Sequence, residues 1–298
     1  MPCFDANKTV SAFIADTVLE LMRKGGTGEV LMVNSAGVYL NACDQIWLLC
    51  DISWGAIPIG IAIEDFAENI KNLQIEQGQS FLYCENKLIF SGRELKLCCL
   101  PATSKAGSLE KPRSDLMRRA ARDIVDLHKV RGISMLVLPL LIDDEKQDIA
   151  LLNPYCERAY PLLLRLIEVL SCESDEDVRD CVASLLGLGV GLTPSADDVM
   201  LGMLYTFRML GNETPESVKV FRESIAEMCD THTSKVSAAY LKAMLSGAHF
   251  ERLERVFCGL CGAIPLDTSL LFEVGGSSGS EMLLGMLLAL HICGYRIN

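Results

Sequence analysis

The spacing of the apolar residues changes once along this chain, and that change limits the folds that it can adopt. Within the first hundred residues, seven short segments are rich in apolar and β-branched residues, and turn residues separate them. These segments are residues 30–33, 37–40, 46–49, 57–63, 81–84, 88–90 and 95–98. Short strands at such close spacing predict an antiparallel barrel or a sandwich. We expect an amphipathic helix over residues 8–24 to precede them.

Helical patterns replace the strand patterns in the second half of the chain. From about residue 145, seven segments repeat their apolar residues with the helical period: 155–171, 175–186, 195–210, 215–230, 234–246, 250–262 and 280–292. Another helix is predicted over residues 115–130, whereas residues 133–142 fit either a last strand or a buried segment. The prediction is an α+β fold, with a β-rich N-terminal domain over residues 1–145 and an all-helical domain over residues 146–298.

Charge and composition limit the partners. The 298 residues include 27 basic and 39 acidic ones, and the resulting net charge of -12 argues against nucleic acid or an anionic membrane surface as a partner. No apolar run reaches the roughly 18 residues of a membrane span, and the N-terminus lacks the pattern of a secretory signal. The thirteen scattered cysteines then indicate mostly buried thiols in a reducing compartment. We therefore expect a soluble cytoplasmic protein.

Two glycine-rich segments of the helical half resemble each other. Residues 187–204 read GLGVGLTPSADDVMLGML, and residues 275–287 read GGSSGSEMLLGML. Aligned on Ser195 and Ser278, both pass through an acidic residue three positions later into an apolar helix. Glycine-rich loops that open helices present free backbone N–H groups, which suit an anionic ligand. The pair predicts one site with pseudosymmetric halves.

Helix capping is an alternative explanation for the polar residues of both segments. Thr193 fits an N-cap followed by a proline at the first helical position. Residues 195–198 fit an acidic variant of the capping box, and residues 278–281 fit the standard box. Both interpretations explain the hydroxyls and carboxylates without any ligand.

Capping does not account for the glycines. A plain helix start does not need the alternating Gly187, Gly189 and Gly191, whereas close approach of the backbone to a ligand or to another helix does. Gly202 and Gly285 lie in helix interiors, where glycine costs about 1 kcal/mol relative to alanine. Their presence predicts that the two helices cross tightly, which would bring the two loops together.

Asp197 and Asp198 are the candidate catalytic residues. Adjacent helical residues point about 100° apart, so we expect Asp197 to face the ligand while Asp198 caps the helix. The ligand group would be the N–H donors of an amide or urea-like compound, or a divalent cation. The candidate substrate-binding residues are Gly189, Gly191, Thr193, Ser195, Ser277, Ser278, Gly279 and Glu281.

No metal site and no cofactor are predicted. Residues 258–261 form a lone CxxC without a second pair or nearby histidines, and the four histidines show no metal-ligand spacing. The glycines of residues 187–191 follow a helical pattern and not a strand, which disfavours a dinucleotide-binding fold. Capping is also the favoured explanation for the hydroxyl-rich residues 231–235.

The run over residues 187–198, GLGVGLTPSADD, resembles the signature GLGPGLTPSGDD of the family that contains a subunit of bacterial oxamate carbamoyltransferase. Residues 33–36, 231–237 and 276–281 lie where that family has comparable segments. The chain departs from the family pattern at Val190, where proline is usual, at Ala196, where glycine is usual, and at Glu281, where aspartate is usual.

The resemblance implies carbamoyl transfer in a multi-subunit enzyme. Oxalurate and phosphate would give oxamate and carbamoyl phosphate, so the expected partners are a small anionic substrate, phosphate and other protein subunits. The sequence contains no recognisable nucleophile motif, which favours direct attack by phosphate on the carbamoyl carbon. The alternative is a non-catalytic subunit that binds a small anion or regulates a metabolic complex.

Overall fold

The computed structural model of this chain describes residues 9–34, 37–101, 110–127, 132–142, 153–172 and 175–297. Contacts between Cα atoms divide the chain into two compact units. The first unit consists of residues 1–105 with 248–252, and the second consists of residues 106–247 with 253–298. All strands of the described residues lie in the first unit, so the predicted α+β fold with segregated elements is confirmed.

Eight strands among the described residues close into a barrel. They are β1 Thr9–Ile14, β2 Gly26–Val33, β3 Val38–Ala42, β4 Gln45–Asp51, β5 Gly60–Ile63, β6 Ser80–Cys84, β7 Lys87–Phe90 and β8 Arg93–Cys99. Their order around the barrel is β1-β5-β4-β3-β2-β6-β7-β8. The barrel prediction is confirmed, but the barrel is not fully antiparallel, because β1 pairs parallel with β8 and β4 pairs parallel with β5.

The prediction of one helix over residues 8–24 is wrong in its first part. That part forms β1, whose buried side chains Val10, Ala12 and Ile14 alternate along the strand. Only then does α1, Asp16–Lys24, begin. Because β1 pairs with β5 on one side and β8 on the other, this long-range pairing overrides the helical pattern of the local sequence. A second short helix, α2 Phe66–Leu73, was not predicted.

The second unit is helical. Its helices are α3 Ser114–Val125, α4 Val137–Leu141, α5 Pro154–Cys172, α6 Asp175–Leu185, α7 Ser195–Leu210, α8 Ser217–His232, α9 Lys235–Leu245, α10 Glu251–Leu260 (whose first two residues belong to the first unit), α11 Ser269–Phe272 and α12 Ser278–Ile292. The segment left undecided, residues 133–142, is a 3-10 turn followed by α4 and is not a strand. Each of the seven helices predicted beyond residue 145 corresponds to a helix, and α11 was not predicted.

Helices α7 and α12 cross at the buried centre of the second unit. A Cβ atom placed on Gly202 would overlap the carbonyl oxygen of Met282, and one placed on Gly285 would overlap that of Val199. Met282 and Val199 are equivalent positions when the two segments are aligned. The crossing therefore has local twofold pseudosymmetry, and the tight approach predicted from the two glycines is confirmed.

Candidate functional site

The glycine-rich loops that precede α7 and α12 meet through their hydroxyl groups. The Oγ1 atom of Thr193 lies 3.1 Å from the Oγ atom of Ser278. Thr193 also donates a hydrogen bond to Oδ2 of Asp198 at 3.0 Å, and the hydroxyl of Ser278 bonds the same carboxyl group. A threonine, a serine and an aspartate thus form a closed triangle of hydrogen bonds between the two loops.

Each opening serine bonds the acidic residue of the other helix. Ser195, the first residue of α7, bonds the carboxyl group of Glu281, and Ser278, the first residue of α12, bonds that of Asp198. The two serines are equivalent in the aligned segments, and so are the two acidic residues. The hydrogen bonds therefore follow the same pseudosymmetry as the glycine crossing.

The predicted caps are not formed. Neither α7 nor α12 has a side-chain hydrogen bond at its cap. The cap position of α7 is occupied by Pro194, so Thr193 lies outside the helix and the proline is not its first residue. The acidic residues do not complete capping boxes, because their carboxyl groups bond hydroxyl groups of both loops.

Glu281 is buried at the start of α12, with 1% of its surface exposed. Its Oε1 atom accepts the backbone N–H of Ile133 at 3.0 Å, and its Oε2 atom accepts the hydroxyl of Ser277 at 3.1 Å. A Cβ atom on Gly132 would overlap Oε1, so a side chain there would displace the carboxylate. Burial raises the pKa of Glu281, and the hydrogen bonds oppose that rise.

Asp197 is equally buried and fastens the first loop to the turn between α8 and α9. Its Oδ1 atom accepts the backbone N–H of Gly187 at 2.8 Å. Its Oδ2 atom accepts the hydroxyl of Ser237 at 2.6 Å and that of Thr233. Burial raises the pKa of Asp197, while these three hydrogen bonds favour the charged form. Both carboxylate oxygens therefore bind the protein itself.

Asp198 carries the most strongly shifted carboxyl group of the site. Burial, followed by the charge of Glu281, raises its pKa well above the ordinary value of 3.8. A neutral carboxyl group can donate a hydrogen bond as well as accept one. With Asp198 protonated, each member of its triangle with Thr193 and Ser278 can donate once and accept once, so the geometry and the direction of the pKa shift agree.

The glycines of the first loop are required mainly by backbone packing. Gly187, Gly189 and Gly191 have φ angles of 79°, 133° and 101°, a region that favours glycine. A Cβ on Gly187 would overlap the carbonyl oxygen of His232, and one on Gly189 would overlap the backbone nitrogen of Ser195. The alternating glycines thus allow close approach to the protein, which is one of the two alternatives left open by the sequence.

The tip of the first loop faces solvent. Val190 is 64% exposed, and Gly191 is exposed as well. Within the described residues, the backbone N–H groups of Gly189, Val190 and Gly191 have no hydrogen-bond acceptor. These donors are not used by the described part of the protein.

The second loop is arranged differently. Gly275 and Gly276 are exposed, and Ser277 and Ser278 are half-buried. Gly279, a candidate substrate-binding residue, is buried, and a Cβ there would overlap the carbonyl oxygen of Leu271. The structure places Gly279 against α11 and away from the exposed face of the loop.

The three carboxyl groups are buried, whereas the tips of both loops are exposed. Asp197, Asp198 and Glu281 are 1%, 2% and 1% exposed. No lysine or arginine is among the causes of their pKa shifts. Helix N-termini and hydroxyl groups therefore stabilise the charged form of these carboxyl groups in the described residues.

Three contacts of the site have no clear signal in the sequence. Glu281 binds the backbone N–H of Ile133, and no pattern of side chains in the sequence predicts a backbone contact. Thr233 and Ser237 belong to a hydroxyl-rich segment that capping explains in part: Ser234 accepts the backbone N–H of Ser237 at 3.0 Å at the start of α9. The hydrogen bonds of Thr233 and Ser237 to Asp197 are not part of this cap.

The rest of the described chain offers few other sites. In the described ranges, no group of three or more His, Cys, Asp or Glu residues is placed to hold a metal ion. Cys258 and Cys261 are buried free thiols. No described helix is both long enough and apolar enough to cross a bilayer.

Comparison with known proteins connects this site with a family. Residues 185–290 match the family model described as oxamate carbamoyltransferase subunit AllH. The matched range contains both glycine-rich loops, the helices that they open as far as residue 290, and the turn that binds Asp197. The resemblance predicted from residues 187–198 is confirmed. The family is that of an enzyme subunit, which implies other protein chains as partners. No solved structure matches the chain.

Proposed function

We propose that this chain is a subunit of an oxamate carbamoyltransferase-like enzyme and takes part in moving a carbamoyl group between oxalurate and phosphate. The observation that carries the proposal is the meeting of the two glycine-rich loops, through Thr193 and Ser278, inside the range that matches the family model. The loops present exposed backbone N–H donors that can bind a small anion. Because the net charge of the protein is -12, these local dipoles, and not the overall charge, would attract the anion.

The proposed site uses the exposed part of both loops. Of the candidate substrate-binding residues, Gly189, Gly191, Thr193, Ser277 and Ser278 form this part, and the exposed N–H groups of residues 189–191 meet phosphate or the substrate carboxylate. The buried Ser195, Gly279 and Glu281 support the loops from within the protein. Asp197 and Asp198 contribute to catalysis because their hydrogen bonds fix the conformation of the loops. Oriented N–H donors also stabilise negative charge that develops on the carbamoyl oxygen.

The reaction needs no covalent intermediate with the protein. An oxygen of hydrogen phosphate attacks the carbamoyl carbon of oxalurate, the bond from that carbon to the oxamate nitrogen breaks, and the phosphate proton ends on that nitrogen. Binding both reactants side by side supplies much of the rate enhancement in such a mechanism.

The test is an assay of the full-length chain purified together with the subunits that accompany it. With oxalurate and phosphate we expect carbamoyl phosphate and oxamate, in amounts that depend on both substrates. The chain that carries Thr193→Val, which keeps the side-chain volume but removes the hydroxyl, is expected to lose about tenfold or more in kcat/KM. Absence of turnover in an assembly that contains the folded chain would overturn the proposed reaction.

A second candidate function is a non-catalytic subunit that binds a small anion or regulates the complex. The burial of Asp197, Asp198 and Glu281 favours it, because all three carboxyl groups are occupied by the protein. On this alternative, phosphate or oxamate still raises the melting temperature of the chain. Variants Asp197→Ala and Asp198→Ala that fold would then leave kcat of the assembly unchanged, whereas the leading proposal expects kcat to fall.

A further inference from the structure

The side chain of His232 is held in one tautomer at the end of α8. Its Nδ1 atom lies 2.9 Å from Oγ1 of Thr231 and 3.2 Å from the carbonyl oxygen of Met228. The hydroxyl of Thr231 itself donates to the same carbonyl at 3.1 Å. A carbonyl oxygen only accepts, and the threonine hydrogen is already used, so the proton of the neutral imidazole lies on Nδ1.

The other ring nitrogen of His232 is available. The residue is exposed, and Nε2 has no hydrogen-bond partner within the part of the chain that the structure describes. With the proton on Nδ1, Nε2 holds the lone pair of the neutral ring. The local hydrogen bonds thus prepare an exposed proton acceptor of the kind that enzymes use most often for acid–base catalysis.

The backbone of His232 and the two residues that follow it contact the first glycine-rich loop. The carbonyl oxygen of His232 packs against Gly187, where a Cβ would overlap it. The next two residues bind the same loop, since Thr233 donates to Asp197 and Ser234 donates to the carbonyl oxygen of Leu192. The backbone of His232 is therefore fixed beside the loop that the proposed function assigns to the substrate, and its exposed imidazole is carried at the edge of that loop.

The proposed reaction needs a proton carrier that the buried carboxyl groups do not provide. Asp197, Asp198 and Glu281 are at most 2% exposed and are bonded to the protein. Of the other histidines that the structure describes, His249 belongs to the barrel unit and His291 lies in the last turn of α12, at the opposite end from the loop.

We propose that His232 is a catalytic residue that carries the proton in carbamoyl transfer; the inference rests on the proposed function. Nε2 removes the proton of hydrogen phosphate as its oxygen attacks the carbamoyl carbon. The imidazolium then gives this proton to the departing oxamate nitrogen as the carbon–nitrogen bond breaks. The ring returns to its neutral form, so the protons balance and no other reactant is needed.

The experiment uses the full-length chain assembled with its accompanying subunits, and oxalurate with phosphate as the substrates. His232→Asn keeps a donor near the position of Nδ1 and removes Nε2. We expect kcat to fall by about 100-fold or more while KM changes only a few-fold. His232→Ala is expected to recover a part of this loss when free imidazole is added. His249→Asn is the matched control and should keep the parent kcat.

The outcomes separate the two levels of the proposal. If the parent assembly makes carbamoyl phosphate and His232→Asn retains kcat within about twofold, His232 is not the proton carrier and the proposed function stands. If the variants melt like the parent and lose kcat but imidazole restores nothing, the role is structural and the inference is overturned. If the parent assembly shows no turnover, the proposed function and the inference both fall.

Discussion

The helix starts at α7 and α12 share a sequence pattern but differ in what surrounds them. Asp197 binds Gly187 and the turn between α8 and α9, whereas Ser280, at the equivalent position of α12, donates only to the carbonyl oxygen of Ser277 at 2.8 Å. The second loop is instead held by the packing of Gly279 on α11. The common pattern therefore encodes the crossing of the two helices, and the residues that differ encode the neighbours of each loop.

The largest effect is expected at the shared crossing. Gly202→Ala and Gly285→Ala each place a Cβ into a backbone carbonyl of the facing helix, and neither helix can move without disturbing the buried centre. We expect each variant to lose about 3 kcal/mol or more of unfolding free energy, measured by urea denaturation.

Gly276→Ala is the control for both variants, because no atom lies within 4 Å of a Cβ at that position. It should stay within about 0.5 kcal/mol of the parent chain. A loss below about 1 kcal/mol for either crossing glycine would show that the two helices do not approach as closely as described.

The next effect addresses the difference between the loops. Asp197→Ala leaves the backbone N–H of Gly187 and the hydroxyls of Thr233 and Ser237 without their common acceptor. We expect a loss of about 2–4 kcal/mol in urea denaturation. Ser280→Ala removes one hydrogen bond and should lose about 1 kcal/mol or less. Equal losses would mean that the first loop is not anchored more strongly than the second.

The pH dependence of stability tests the shifted carboxyl group. The folded state holds a proton on Asp198 above the ordinary pKa of 3.8, where the unfolded chain has released it, so the stability of the parent falls as pH rises above that value. One proton accounts for at most about 1.4 kcal/mol per pH unit. Asp198→Asn cannot ionise, so its melting temperature relative to the parent should rise from pH 5 to pH 8.

Glu281→Gln provides the comparison for that experiment. The pKa of Glu281 is also raised by burial, but three hydrogen bonds favour its charged form. We expect the melting temperature of Glu281→Gln relative to the parent to rise as well between pH 5 and pH 8, but by less than that of Asp198→Asn. Parallel melting curves for Asp198→Asn and the parent would mean that Asp198 is ionised in the folded protein.

The smallest effect concerns the exposed tips. Gly191 has a φ angle of 101°, and the nearest atom to a Cβ there is 3.9 Å away, so Gly191→Ala meets backbone strain without a clash. We expect a loss of about 1 kcal/mol, against almost none for Gly276→Ala. Urea denaturation of the two variants measures the difference, and indistinguishable midpoints would contradict it.

Much of the fold could be predicted from the sequence, because local pattern decides most of its elements. The seven predicted strand segments and the helices beyond residue 145 follow the apolar period. The errors arise where residues distant in the sequence determine the structure. Residues 9–14 form a strand because β5 and β8 pair with them. Two strand pairs are parallel because the barrel closes through them.

The site was predictable in its location and not in its connections. The crossing glycines and the meeting of the loops follow from the repeated segment. The crossed bonds do not, because within each segment the same serines and acidic residues also fit the sequence pattern of a capping box. The contact of Ile133 with Glu281 uses a backbone N–H, which every residue except proline has.

The most direct test of the crossed arrangement is a double-mutant cycle on unfolding free energy. Ser195→Ala is combined with Glu281→Gln, its partner across the two loops, and separately with Asp198→Asn in its own helix. We predict a coupling energy of about 1 kcal/mol for the crossed pair and less than about 0.5 kcal/mol for the pair within α7. Coupling within α7 and none across the loops would mean that the two segments are independent helix caps and not halves of one site.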